Sequence, residues 1–179
     1  MIPTTITTKH LRLIPHEPAH LRALIDGSEF YERTSGLKAA PGLREFIVSP
    51  DVSAEWRAAL EKATAADPWT YGFALVHLEC GEVIGNASFT GPPDAAGVVE
   101  IAYGIVPKYE GRGYATEAAQ ALITYARDDA RVRTILAHTL PARNASTRVL
   151  EKCGFQRVAE LTHPTDGLIW RWELPLGSR

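Results

Sequence analysis

Between a run of apolar residues and a helical pattern the chain reads Pro107-Lys108-Tyr109-Glu110-Gly111-Arg112-Gly113-Tyr114-Ala115-Thr116-Glu117. Gly111 and Gly113 let the backbone turn sharply and come close to a ligand. The first N–H groups of a helix have no partner within it, and the helix dipole adds partial positive charge there. Strand, glycine-rich turn and helix start, in that order, make a site for phosphate or pyrophosphate. Lys108 and Arg112 could add charge. A glycine-capped connector without a ligand is the plain alternative, since such turns commonly join elements. Position 116 is Thr, so there is no Gly-x-Gly-x-x-Gly, which disfavours a dinucleotide fold. The absence of a Gly-Lys-Ser/Thr ending excludes a nucleoside-triphosphate P-loop.

Glu100 is the second chemical feature, the one charged residue between Val98 and Val106. Alternation along a strand puts Glu100, Ala102 and Gly104 on one face, where small neighbours leave room for a substrate. Burial raises a carboxylate from about 4.3 toward neutrality and so suits it to accept a proton. A pairing with a nearby Arg or Lys at the start of the strand is the structural alternative. His10, His16, His20, His77, His138 and His163 lack metal-ligand spacing and read as surface or core residues. Cys80 and Cys153 form no CxxC or Cys–His cluster. That excludes a zinc site of sulfur ligands and gives no support to a disulfide scaffold. No metal is expected. Trp56, Trp69, Trp170 and Trp172 read as core or interface; Tyr103 and Phe89 as core, or as the lining of a pocket.

These groups need elements to hold them. Thr7 to Ile14 alternates as a strand exposed on one face. Pro18 to Ile25 has helical spacing and ends near Gly27, and Ser53 to Ala66 is a helix capped by Ser53. Between them, Ser28 to Pro50 predicts irregular chain with a short helix. Trp69 to Leu78 and Glu82 to Thr90 form a hairpin about Glu79-Cys80-Gly81. Val98 to Val106 is apolar on both faces, as a central strand should be. Tyr114 to Arg127 carries Ala115, Ala118, Ala119, Leu122, Ile123 and Ala126 on one helical stripe. Thr134 to Thr139, Gln156 to Leu161 and Leu168 to Leu174 are strands, and Ala145 to Cys153 is a helix ended by Gly154. This order predicts a mixed α/β sheet with helices packed on it.

Composition agrees with one globular domain. The chain has 179 residues, 45% of them hydrophobic and 22% charged, with a net charge of −2. Near-zero charge removes a global pull toward nucleic acid. No stretch approaches the roughly 20 apolar residues that span a bilayer. Met1 to Ile6 has no basic segment followed by an apolar run, so a cytoplasmic location is expected.

Ile101-Ala102-Tyr103-Gly104-Ile105-Val106-Pro107 followed by Tyr109 to Ala118 resembles the acetyl-CoA-binding motif of the GNAT N-acetyltransferases, in the manner of the RimJ/RimL-like branch. Asn144 to Phe155 is similar to the late helix of that branch. The resemblance runs from about Thr5 to Glu173. It implies a single domain over 1–179: a central, mostly antiparallel sheet splayed at its middle, with helices on both faces. It implies acetyl transfer from acetyl-CoA to a primary amine, by direct attack in a ternary complex.

The family pattern Gln/Arg-x-x-Gly-x-Gly/Ala maps onto Glu110 to Ala115, with Glu110 departing from it. Main-chain N–H groups from Gly111, Arg112, Gly113, Tyr114, Ala115 and Thr116 would hold the pyrophosphate. A bulge near Ile105-Val106 would splay the strand. An N–H there, that of Ile105, would polarise the thioester carbonyl. Asn144 would reach the pantetheine, and Arg143, Arg148 and Lys152 would meet the 3′-phosphate or form a solvated helix face. Glu100 would be the base. Ser146, at the family's usual serine position, would serve catalysis or cap the helix. The Tyr that many relatives use as acid is replaced by Leu150, which leaves the acid unassigned. A non-catalytic acyl-CoA sensor is the competing class. Protein N-termini, polyamines, amino acids and aminoglycoside-like amines are the candidate acceptors, with a monomer or homodimer as the assembly.

Overall fold

The computed structural model describes residues 4–177; residues 1–3 and 178–179, at the limits of the expected domain, lie outside the described residues. Strand β1 (Ile6–Thr7) pairs with β2 (Leu11–Pro15), where Leu11 and Leu13 are buried and Arg12 is exposed. That alternation is the period of two in a half-buried strand. Helix α1 (Pro18–Asp26) opens with proline in its first turn and stops at Gly27.

The stretch from 28 to 50 is more ordered than its pattern predicts. It holds α2 (Ser28–Ser35), β3 (Lys38–Ala39) and α3 (Glu45–Val48). Gly36 ends α2 in the left-handed conformation, φ 71°. Helix α4 (Ala54–Lys62) is capped as expected, the Ser53 hydroxyl accepting the Trp56 N–H. The strand predicted from Trp69 starts later. Asp67 accepts the Trp69 N–H and Pro68 opens a helical turn, α5 (Pro68–Tyr71), before β4 (Phe73–His77).

Strands β5 (Glu82–Phe89) and β6 (Val98–Ile105) follow. A 3-10 turn at Pro107–Tyr109 leads to α6 (Tyr114–Arg127). The chain closes with β7 (Thr134–Thr139), α7 (Ala145–Lys152), β8 (Gln156–His163) and β9 (Gly167–Pro175).

The sheet runs β1-β2-β4-β5-β6-β7-β9-β8, with β3 beside β5. Only the β6–β7 and β3–β5 pairs are parallel among those described. Helices cover both faces. A Cβ on Gly104 would point at the Phe46 ring of α3, while the next side chain back, Tyr103, reaches Ser146 of α7. Adjacent strand residues face opposite ways, so α3 and α7 lie on opposite faces. Ala118, Ala119, Leu122 and Ala126 of α6 are fully buried in the core. No helix among the described residues is long and apolar enough to cross a membrane.

Candidate active site

The glycine-rich turn and the start of α6 form an open row of donors. Gly111 (φ 72°) and Gly113 (φ 85°) are both left-handed, and a Cβ at either would meet no atom within 4 Å. Their conformation, not crowding, calls for glycine. The first main-chain bond of the helix is donated by Glu117 to Gly113. Among the described residues, the N–H groups from Gly111 to Thr116 donate to no carbonyl of the chain. Main-chain N–H groups without a partner at a positive helix end fit a pyrophosphate.

The turn is held from behind. The Tyr109 hydroxyl donates to Glu82 (2.7 Å), and Lys38 reaches the other oxygen of that carboxylate (2.8 Å). The Lys38 bond, the Tyr109 bond and the charge of Lys108 hold the Glu82 carboxyl down at about 2 against the effect of burial. Bonds to Cys80 and Glu82 push the Tyr109 phenol above its ordinary range, so it stays a donor. Tyr114 shares a hydrogen bond with His77 (2.8 Å).

The split in the sheet lies alongside. Strand β6 pairs with β5 from Ile101 to Ile105, but with β7 only from Val98 to Glu100. Val106 donates to Ile84 and Thr90 donates to Glu100, so the even-numbered residues of β6 turn their N–H and C=O groups to β5. In an antiparallel ladder these hydrogen-bonded pairs alternate with non-bonded ones. The N–H and C=O groups of Tyr103 and Ile105 therefore point away from β5, into the gap that β7 leaves. A donor there could polarise a carbonyl oxygen.

A cleft of about 770 Å³ joins the two features, lined by Tyr103, Gly104 and Ile105, by the turn and α6 start, and by Ser146, Arg148 and Lys152 of α7. Phe46 lines it from α3. At the root of the split, the Glu100 carboxylate bonds His138 Nδ1 at 2.7 Å, both side chains being partly exposed.

Residues 10–156 match the acetyltransferase (GNAT) domain. That span is most of the chain. The chain belongs to the GNAT acetyltransferase family. It is 35% identical over 92 residues to the uncharacterized N-acetyltransferase YjdG of Bacillus subtilis, covering 50% of this chain and 55% of that protein. It is 32% identical over 85 residues to the uncharacterized N-acetyltransferase p20 of Bacillus licheniformis, covering 48% of each. The match thus spans about half the length of these curated relatives. A GNAT-family acetyltransferase from Bacillus anthracis has the same fold, with TM-score 0.65, 21% identity and coverage of 96% and 98%. So has a ribosomal-protein-S5-alanine acetyltransferase from Vibrio fischeri, with TM-score 0.66, 14% identity and 97% coverage of both chains.

Within this GNAT domain, Ile105, Gly111, Gly113, Tyr114, Ala115, Thr116 and Ser146 come together at the cleft, whereas Glu100 is not among its lining residues and bonds His138 beside it. Arg112 does not line it; its guanidinium lies over the Tyr109 ring, 5.4 Å from the centroid. Val106 is not at the cleft. Its side chain is fully buried, its N–H donates to Ile84 and its carbonyl accepts from Tyr109, so it anchors the turn. Asn144 is also absent from the lining. Its side-chain oxygen accepts the Thr147 N–H, and the Thr147 hydroxyl accepts the Asn144 N–H, a capping box at the start of α7. The cap is therefore Asn144 and not Ser146.

The splay is not made by a bulge at Ile105-Val106, since the β5–β6 ladder runs without a shift. The irregularity is on β5, where Ile84 is inserted between Val83 and Gly85 opposite β4. Of the late-helix cations, Arg148 and Lys152 line the cleft, whereas Arg143 pairs with Glu151 at 3.4 Å. Tyr103 lines it as well, its hydroxyl donating to the Ser146 carbonyl, and burial pushes its phenol up to about 12. Phe89 is core, packed on Trp69. His138 and Phe46 carry no local motif. Their one signal is polarity or bulk at an odd place: an imidazole in the apolar run of β7, and an aromatic in a poorly patterned stretch.

Proposed function

We propose that this chain is an acetyl-CoA-dependent N-acetyltransferase that acts on a primary amine in a ternary complex. The observation that carries the reading is the shared cleft. The unpartnered N–H groups of Gly111 and of Gly113 to Thr116 belong to residues that line the same cleft as Tyr103 and Ile105 of β6. The first set suits a pyrophosphate and the second a thioester carbonyl. Arg148 and Lys152 add cations for the remaining phosphate. Acetyl-CoA supplies the acyl group; the chain's own part is to grip, orient and remove a proton.

An amine arrives protonated at neutral pH and attacks only after losing that proton. Glu100, with His138 bonded to it, is the titratable pair at the split. Ser146 lines the cleft, where a hydroxyl can meet the leaving sulfur, and a thiolate with pKa near 8.5 also leaves tolerably unaided. Likeness in fold to the ribosomal-protein acetyltransferases makes protein N-termini the first acceptors to try, in the RimJ/RimL manner and in a cytoplasmic setting.

The test follows free CoA thiol while acetyl-CoA is mixed with amines, including N-terminal peptides of ribosomal proteins, polyamines, amino acids and an aminoglycoside. Amine-dependent thiol release is expected. Tight acetyl-CoA binding with no release for any amine would replace the reading with that of a sensor.

A further inference from the structure

Resting on that reading, we infer that His138 Nε2 is the atom that takes the proton from the acceptor amine, and that Glu100 is the carboxylate that holds the imidazole for it. The register places the pair. Glu100 is opposite Leu136, the last paired position of β6 and β7, and His138 is two residues further along β7. Two residues on means the same face. As the strands part, the imidazole stays within 2.7 Å of the carboxylate and spans the root of the split.

The chemistry assigns the roles. An ionised carboxylate can only accept a hydrogen bond, so the proton of the neutral imidazole sits on Nδ1, facing Glu100. Nε2 then carries the lone pair, and among the described residues nothing in the chain bonds to it. A carboxylate behind the ring fixes the tautomer and steadies the cation that forms. On β9, Arg171 lies directly opposite His138, and Glu173 takes the Arg171 guanidinium at 2.8 Å. That neighbouring pair closes on itself and leaves Glu100 as the counter-charge for His138.

The step balances simply. Nε2 takes one proton from the ammonium and later gives it to solvent. The amine nitrogen forms a bond to the acyl carbon, the carbon–sulfur bond breaks, and the second N–H proton goes to the departing sulfur.

The experiment measures kcat against pH at saturating acetyl-CoA for wild type, His138→Gln and Glu100→Gln, with the best amine of the panel. Unchanged melting temperatures check the fold. The imidazole 15N shifts of His138 are read in the same samples. Wild type should show a rising limb in kcat with pH and an Nδ1-protonated ring. His138→Gln should lose 100-fold or more in kcat and lose that limb. Glu100→Gln should lose about 10-fold and keep it, with the ring freed to change tautomer. Wild-type kcat in His138→Gln, or a limb abolished by Glu100→Gln but kept in His138→Gln, would reverse the roles. If no amine releases thiol even with wild type, the transferase reading fails by itself. The 15N spectrum still decides the pair, since a ring protonated on Nε2 removes the lone pair this assignment needs.

Discussion

The Glu117 carboxylate, in the first turn of α6, accepts the main-chain N–H of His10 at 2.7 Å and ties the helix start to the turn between β1 and β2. The Thr8 hydroxyl and the His10 ring add two more bonds to the same group. Burial alone would raise this carboxyl, but those bonds together hold it below its usual range. The donors that face the cleft are thus fixed by contacts on a part of the chain about a hundred residues away.

Glu117→Ala should lower stability by about 1–3 kcal/mol, because Thr8 and His10 lose their acceptor. It should also weaken CoA binding by loosening the helix start. Chemical denaturation and a CoA titration check both. A loss of stability with CoA affinity untouched would show that the tie is structural only.

Gly113→Ala tests the turn. The left-handed conformation costs a non-glycine residue about 1–2 kcal/mol, while the surrounding space is open, so the expected result is a folded but less stable protein. CoA affinity should fall by about tenfold. Gly167, also left-handed with open space but on the β8–β9 hairpin, is the control: the same substitution there should leave CoA binding unchanged.

Glu82 sets an acid limit. Its carboxyl is held at about 2 in the fold, chiefly by Lys38 and then Tyr109, against 4.5 ordinarily. A depressed carboxylate contributes stability above its unfolded pKa and loses it as pH falls through the folded one. Glu82→Gln should therefore melt below wild type at pH 7, and the gap should close between pH 4.5 and 2. A gap that is constant across that range would show that the ion pair adds nothing to the fold.

His16 acts in a higher window. Burial drives its imidazole down to about 4, with a partial opposing pull from its Asn86 bond and a further small depression from His20. The fold therefore prefers the neutral ring. Its contribution is complete above pH 6.5 and lost as pH falls toward 4, a swing of about 3 kcal/mol. His16→Gln should flatten the wild-type fall in melting temperature over that window. An equally steep fall in the variant would point to other groups.

What could be read without coordinates was local. The α6 stripe, the two glycines and the central strand before them are short-range patterns, and each takes its expected place. The Asp67-Pro68 start of α5 was also a local signal, but the aromatic residues after it favour a strand. Val106 and Asn144 have no pattern that reveals which partner their polar groups choose; Ile84 and Thr147 take them. The Glu100–His138 bond joins residues 38 apart in sequence, on strands whose register only the folded sheet defines. The split and the Glu100–His138 contact both follow from β7 leaving β6 after three residues.

The most direct measurement is a CoA titration followed by main-chain amide resonances. The amides from Gly111 to Thr116, with those of Tyr103 and Ile105, should move together and saturate at one affinity, while Val106 and the β8–β9 hairpin stay still. Saturable binding that leaves the 111–116 amides unmoved would contradict the account, for the diphosphate would then be gripped elsewhere.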